Sequence, residues 1–122
     1  MSRILIVDDD PQLGRSLQRV LEHAGHTCYL SSDPRTAAEA APGFKPDAIL
    51  IELQPEYAPV LPKLRDALGP VPFVFMAGHH EEFAKLGALV GAADDWLAKP
   101  AAPQEFIVRL DTAMRRAQSG DN

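Results

Sequence analysis

The sequence predicts a doubly wound α/β domain, a parallel five-stranded sheet with helices packed on both faces. Three observations carry this. Short apolar runs of β-type residues alternate with helix-period segments five times along the chain. Runs such as Ile4–Val7 and Ala48–Ile51 are unbroken by polar residues, as expected of strands buried on both faces. At 122 residues the chain holds one core and has no room for two.

Taken in order, Ile4–Val7 is the first strand, stopped by Asp8, Asp9 and Asp10. Asp10-Pro11 reads as an N-cap with proline at the first helical position, and Gly25 closes the helix whose apolar face is Leu13, Leu17, Val20, Leu21 and Ala24. A second strand is expected over Thr27–Leu30. The alanine-rich helix begun by Ser32-Asp33-Pro34 is expected to end at Pro42-Gly43. The third strand is Ala48–Ile51, running into Glu52. Pro55, Pro59 and Pro62 then predict a late, short third helix, about Lys63–Leu68. Phe73–Met76 is the fourth strand and the segment about 81–90 the fourth helix, weakened by Gly87 and Gly91. Trp96–Ala98 is the fifth strand. The fifth helix starts near Pro103, with Phe106, Leu110, Ala113 and Ala117 on one stripe and Ile107 and Met114 beside it.

Composition narrows the function. Hydrophobic residues at 46% and charged residues at 24% describe a globular chain. A net charge of −5, 7% aromatics and no basic run argue against nucleic-acid binding by this domain. The apolar runs are far too short for a membrane span, and acids arrive before any signal-peptide core could form. The single cysteine, Cys28, permits no internal disulfide and suits a reducing cytoplasm, where we expect the protein; it reads as a small core residue of the second strand.

Ligands of open parallel α/β sheets sit beyond the carboxyl ends of the strands. The residues there are Asp8, Asp9 and Asp10 after strand one, Glu52 after strand three, Ala77-Gly78 after strand four and Lys99-Pro100 after strand five. Carboxylates with one lysine make a site for a hard cation or a phosphate. Asp10 beside Pro11 is read as a helix cap, whereas Asp8 and Asp9 are read as site residues. His79 and His80, with no cysteine nearby, are read as solvated loop residues. Arg109, Arg115 and Arg116 are read as a solvated helix face.

These residues resemble a known family. Ile4-Leu5-Ile6-Val7-Asp8-Asp9-Asp10-Pro11 is similar to the opening of response-regulator receiver domains of the CheY-like type. Pro46-Asp47-Ala48-Ile49-Leu50-Ile51 resembles that family's approach to its phosphoacceptor, and Ala92 to Pro100 its last strand with Lys-Pro. The resemblance spans roughly residues 2–117. It implies a flavodoxin-like (βα)5 sheet ordered 2-1-3-4-5, with the first and fifth helices on one face and the second, third and fourth on the other. It further implies Asp8 and Asp9 as Mg²⁺-binding acids, Lys99 as the phosphate-contacting lysine and a cis Lys99-Pro100 bond. We expect one receiver domain over 1–118, with 119–122 a tail or the start of a linker.

The chain also departs from that pattern. Glu52 stands at the phosphoacceptor position, its carboxylate displaced by an extra methylene, and Ala77 at the switch hydroxyl position. Trp96 replaces the usual switch tyrosine and is read as a packed plug, with Ala77 opposite. Leu53-Gln54-Pro55 is one residue short before its proline, and Tyr57-Ala58-Pro59 stands where a glycine is expected. The backbone carbonyl of Gln54 is the remaining metal ligand the resemblance implies, so Asp8, Asp9, Glu52 and Gln54 are expected to form a vestigial or weak Mg²⁺ site, or none.

The resulting reading is a degenerate receiver: a non-enzymatic, phosphorylation-independent interaction module of a two-component or phosphorelay signalling protein. It would meet a protein partner or its own output domain through the face of the fourth helix, fifth strand and fifth helix, as a monomer or a weak homodimer. One alternative is a working Mg²⁺-dependent receiver that accepts phosphate on Asp8 or Asp9. A more distant one is a small phosphatase of the haloacid-dehalogenase type, suggested by Asp8-Asp9-Asp10 but opposed by Gln12 and the short chain.

Overall fold

The computed structural model describes residues 2–57, 59–77, 95–99 and 101–119. Its elements are β1 (Arg3–Val7), α1 (Pro11–His23), β2 (Thr27–Ser31), α2 (Pro34–Phe44), β3 (Ala48–Glu52), a 3₁₀ turn (Pro55–Tyr57), α3 (Leu61–Leu68), β4 (Phe73–Ala77), β5 (Asp95–Ala98) and a C-terminal helix (Pro103–Ser119). The five strands are parallel in the order β2-β1-β3-β4-β5, the order that the resemblance implied. The expected fourth helix at 81–90, His79, His80 and the Lys99-Pro100 bond lie outside the described residues.

Alternation along each strand divides the core in two. Ile4, Ile6, Leu50, Val74, Met76 and Leu97 pack with Leu17 and Leu21 of α1 and Phe106 and Leu110 of the C-terminal helix. Leu5, Val7, Ile49, Ile51, Phe73 and Phe75 face the other way, against Ala37 and Ala41 of α2 and Leu61 and Leu64 of α3. This is the predicted partition of helices between the faces, as far as the described residues go. The central runs Ile4–Val7, Ala48–Ile51 and Phe73–Ala77 bury both sides and are apolar throughout, whereas the edge strands β2 and β5 alternate more buried with more exposed positions.

The helix starts follow the capping chemistry of the sequence. Asp10 Oδ1 accepts from the backbone N–H groups of Gln12 and Leu13, and Asp33 Oδ1 from that of Arg35. Two expected boundaries move. Pro42-Gly43 does not end α2, which continues to Phe44 and closes at Lys45, in the left-handed region at φ 55°. Pro42 lies in the last turn, so its missing N–H costs a single bond, to the Ala38 carbonyl. α3 begins at Leu61, two residues early, because Pro62 falls in the first turn, where no N–H is needed.

Register brings the carboxyl ends of the strands level. Val7 aligns with Ser31 and Ile51, Glu52 with Met76, and Ala77 with Ala98. Asp8, Glu52, Ala77 and Lys99 therefore share one rim.

Candidate functional site

Asp8 follows β1 directly, and its backbone N–H donates to the Ser31 carbonyl at 3.0 Å, extending the ladder by one residue. Its side chain is fully buried, with Oδ1 accepting from Asp10 N–H at 2.9 Å and Oδ2 lying 3.2 Å from Lys99 Nζ. Asp9, the next residue, is exposed, with its carboxylate beside those of Asp8 and Glu52. Glu52 closes β3 half-buried, Oε1 3.1 Å from Lys99 Nζ and Oε2 accepting from Gln54 Nε2 at 2.9 Å. Lys99 is aimed by its own backbone, whose N–H donates to the Ala77 carbonyl at 2.7 Å. One ammonium thus bridges the ends of β1 and β3.

One carboxylate oxygen each from Asp8, Asp9 and Glu52 lies within 4.8 Å of the others. For Asp9 and Glu52, crowding of that kind separates the proton affinities of the two carboxyls. The Gln54 amide, and then the Glu52 carboxyl, hold Asp9 below the usual aspartate range. Burial, and then the hydrogen bond with Asp9, push Glu52 up. Burial alone would pull Lys99 down, but its hydrogen bond to Glu52 and the charge of Asp8 raise it. Tyr57, buried on the 3₁₀ turn, is pushed up to about 12 by burial and by the charges of Asp9 and Glu52.

Asp8, Asp9, Glu52 and Lys99 meet as the sequence expects, and Asp10 is the cap it was read to be. Ala77 is fully buried at the end of β4 and brings only a methyl group to the rim. Trp96 is paired in register with Phe75, two positions from Ala77's partner, and is 46% exposed at the surface of the edge strand. Side chains alternate on β5, and position 96 is on the side away from the buried Leu97. Two readings change. Arg109 is no purely solvated arginine: its Nη1 lies 3.4 Å from Oδ2 of the buried Asp95. The Gln54 carbonyl accepts from Tyr57 N–H at 2.9 Å, and the Gln54 side chain enters the site as a donor, which the sequence reading missed. The available signal was the i, i+2 spacing of Glu52 and Gln54.

Residues 4–111 match the family model described as the response regulator receiver domain. The chain belongs to the receiver family. This receiver is 30% identical to response regulator MprA of Mycolicibacterium vanbaalenii over 122 residues, covering 98% of this chain and 53% of that protein. It is 33% identical to the phosphate regulon transcriptional regulatory protein PhoB of Pseudomonas aeruginosa, covering 98% and 54%. The receiver thus spans about half the length of the curated relatives it matches. Among solved structures, a CheY-like receiver domain from Methanospirillum hungatei superposes with a TM-score of 0.86 at 17% identity, covering 98% of each chain. Chemotaxis protein CheY4 of Vibrio cholerae superposes at 0.81 and 22% identity, covering 93% of this chain and 98% of that one. At these identities the superpositions speak for the fold alone. The family match sets aside the haloacid-dehalogenase reading.

Proposed function

We propose that this receiver works without phosphate, as a non-enzymatic cytoplasmic interaction module of a two-component signalling protein. The observation that carries the reading is the pair Glu52 and Ala77 on the rim. The carboxylate at the end of β3 has both oxygens engaged, by Lys99 and by Gln54, and the end of β4 offers no hydroxyl. Phosphoryl transfer to a carboxylate needs a free oxygen in line with phosphorus and donors for the transferred charge. Here the nucleophile's oxygens are held and one donor is absent.

The receiver domain is taken as residues 1–118, and the surface for a protein partner or the protein's own output domain as the edge of β5 with the C-terminal helix. Val108 is 58% exposed there beside a shallow groove of about 320 Å³ that includes Asp95, Glu105, Arg109 and Arg116. Among the described residues, no helix is long and apolar enough to cross a membrane.

The test is intact mass after incubation with acetyl phosphate and Mg²⁺. No added phosphoryl group is expected; ready labelling of the wild type would overturn the proposal. One observation favours a specific version of the rival reading: Asp9 is exposed whereas Asp8 is buried, so any adduct short of position 52 would map to Asp9.

A further inference from the structure

Receiver domains hold Mg²⁺ at the acidic rim, and the donor set here does not fit that ion. Mg²⁺ demands near-octahedral oxygen ligands at about 2.1 Å, which sets adjacent ligand oxygens about 3 Å apart. The three carboxylates must therefore close around the ion, and Glu52 is tethered at both ends, Oε1 by Lys99 at 3.1 Å and Oε2 by the Gln54 amide at 2.9 Å. A neutral amide N–H turns the positive end of its dipole towards the place where a cation would seek Oε2. The Gln54 carbonyl, the oxygen that the family resemblance offers as a ligand, already accepts from Tyr57 N–H at 2.9 Å inside the 3₁₀ turn, which uses one of its two lone pairs and fixes its direction. The shortened loop produces both effects. It folds into the 3₁₀ turn within three residues of Glu52, and it returns the Gln54 side chain over that carboxylate.

We propose that Gln54 is the residue that closes this rim to divalent cations, leaving the Lys99 ammonium as the site's resident positive charge. Gln54 acts through Glu52, and through Asp9 beside it, and is a positioning residue. The inference rests on the phosphate-independent reading, which it deepens by naming the contact that keeps the metal out.

The probe is Mn²⁺ alone, followed by the enhancement of water-proton relaxation on the full chain. Wild type is expected to show no saturation below several millimolar (~mM being weak for a carboxylate cage). Gln54→Met keeps the length of the side chain without the amide donor, and it should bind Mn²⁺ at least about tenfold more tightly, a difference of ~1.4 kcal/mol. Gln54→Ala should do the same, and Gln54→Asn, which retains an amide, should gain less than either. Saturation of the wild type in the micromolar range overturns the inference, as does a folded Gln54→Met or Gln54→Ala that binds no better than wild type. Phosphoryl labelling of the same samples separates the two claims. Tight Mn²⁺ binding with no labelling removes the role of Gln54 alone, whereas labelling of wild type removes the phosphate-independent reading.

Discussion

The Lys99 ammonium lies 3.1 Å from Glu52 Oε1, joining the ends of β5 and β3 across 47 residues of sequence. The same nitrogen reaches the fully buried Asp8 at 3.2 Å. Lys99 is therefore the only counter-charge, among the described residues, within ion-pair distance of these two acids.

Removing that charge leaves a buried carboxylate without its partner. Loss of one member of a buried pair costs about 3–5 kcal/mol, and Lys99 retains some solvent contact, so Lys99→Met should cost roughly 2–3 kcal/mol. Glu52→Gln should act the other way. The folded state disfavours the Glu52 anion, through burial first and then its contact with Asp9, so neutralising it should leave stability unchanged or raised. Urea unfolding midpoints at constant m-value check both. A Glu52→Gln variant less stable by more than about 2 kcal/mol would contradict the site's electrostatics as described.

Restoring acceptor chemistry should need two changes together. Glu52→Asp alone returns the shorter carboxylate but not the hydroxyl, and a bond from that hydroxyl to a charged phosphoryl group is worth about 1.5–3 kcal/mol. Glu52→Asp with Ala77→Thr should therefore label roughly tenfold or more faster than Glu52→Asp. The labile adduct should map to position 52 by peptide mass. Equal labelling of the single and double variants would show that Ala77 is not the missing donor.

Alkali should destabilise the fold through three groups acting in the same direction. Cys28 is pushed up to about 11, by burial and then by Glu22, and Tyr57 to about 12, while Lys99 is also raised. In each case the unfolded chain gives up its proton first, so stability is whole below the unfolded pKa and falls as pH rises towards the folded one. The fall should begin near pH 9 with Cys28. The native thiol should also react with an alkylating reagent at mildly alkaline pH at least about 100-fold more slowly than in urea, since two pKa units remove that much thiolate. Rapid alkylation of the native protein would show that the partial burial of Cys28 does not hold its thiol up.

Gly69 ends α3 at φ 71° and ψ −144°, a conformation closed to residues with a Cβ. A Cβ there would touch nothing within 4 Å, so the cost of Gly69→Ala is backbone strain alone. It should be about 1–3 kcal/mol, read from the shift in the denaturation midpoint. Gly43→Ala, in the last turn of α2 with equally open space and no positive φ, should be neutral or stabilising.

The strands were legible almost to the residue. Ile4–Val7 becomes Arg3–Val7, Ala48–Ile51 becomes Ala48–Glu52 and Phe73–Met76 becomes Phe73–Ala77. The apolar runs are local and both faces are buried, so no tertiary information is needed to see them. Helix starts were legible for the same reason, because Asp10-Pro11 and Asp33-Pro34 act within one turn. The end of α2 was not, since Pro42 forbids one hydrogen bond but cannot say whether the last turn tolerates its loss.

For the site, sequence alone determined which acids and which lysine stand at strand ends, and that position 52 is a glutamate and position 77 has no hydroxyl. Those are facts of residue type and of position along a strand. Tertiary structure decided how these groups engage one another: that Lys99 bridges Asp8 and Glu52, that Gln54 donates to Glu52 while its carbonyl turns to Tyr57, and that Arg109 finds Asp95. Side-chain hydrogen bonds depend on distances of a few tenths of an ångström between segments far apart in the chain. Only the register of the folded sheet and the path of the chain from Glu52 through the 3₁₀ turn set those distances.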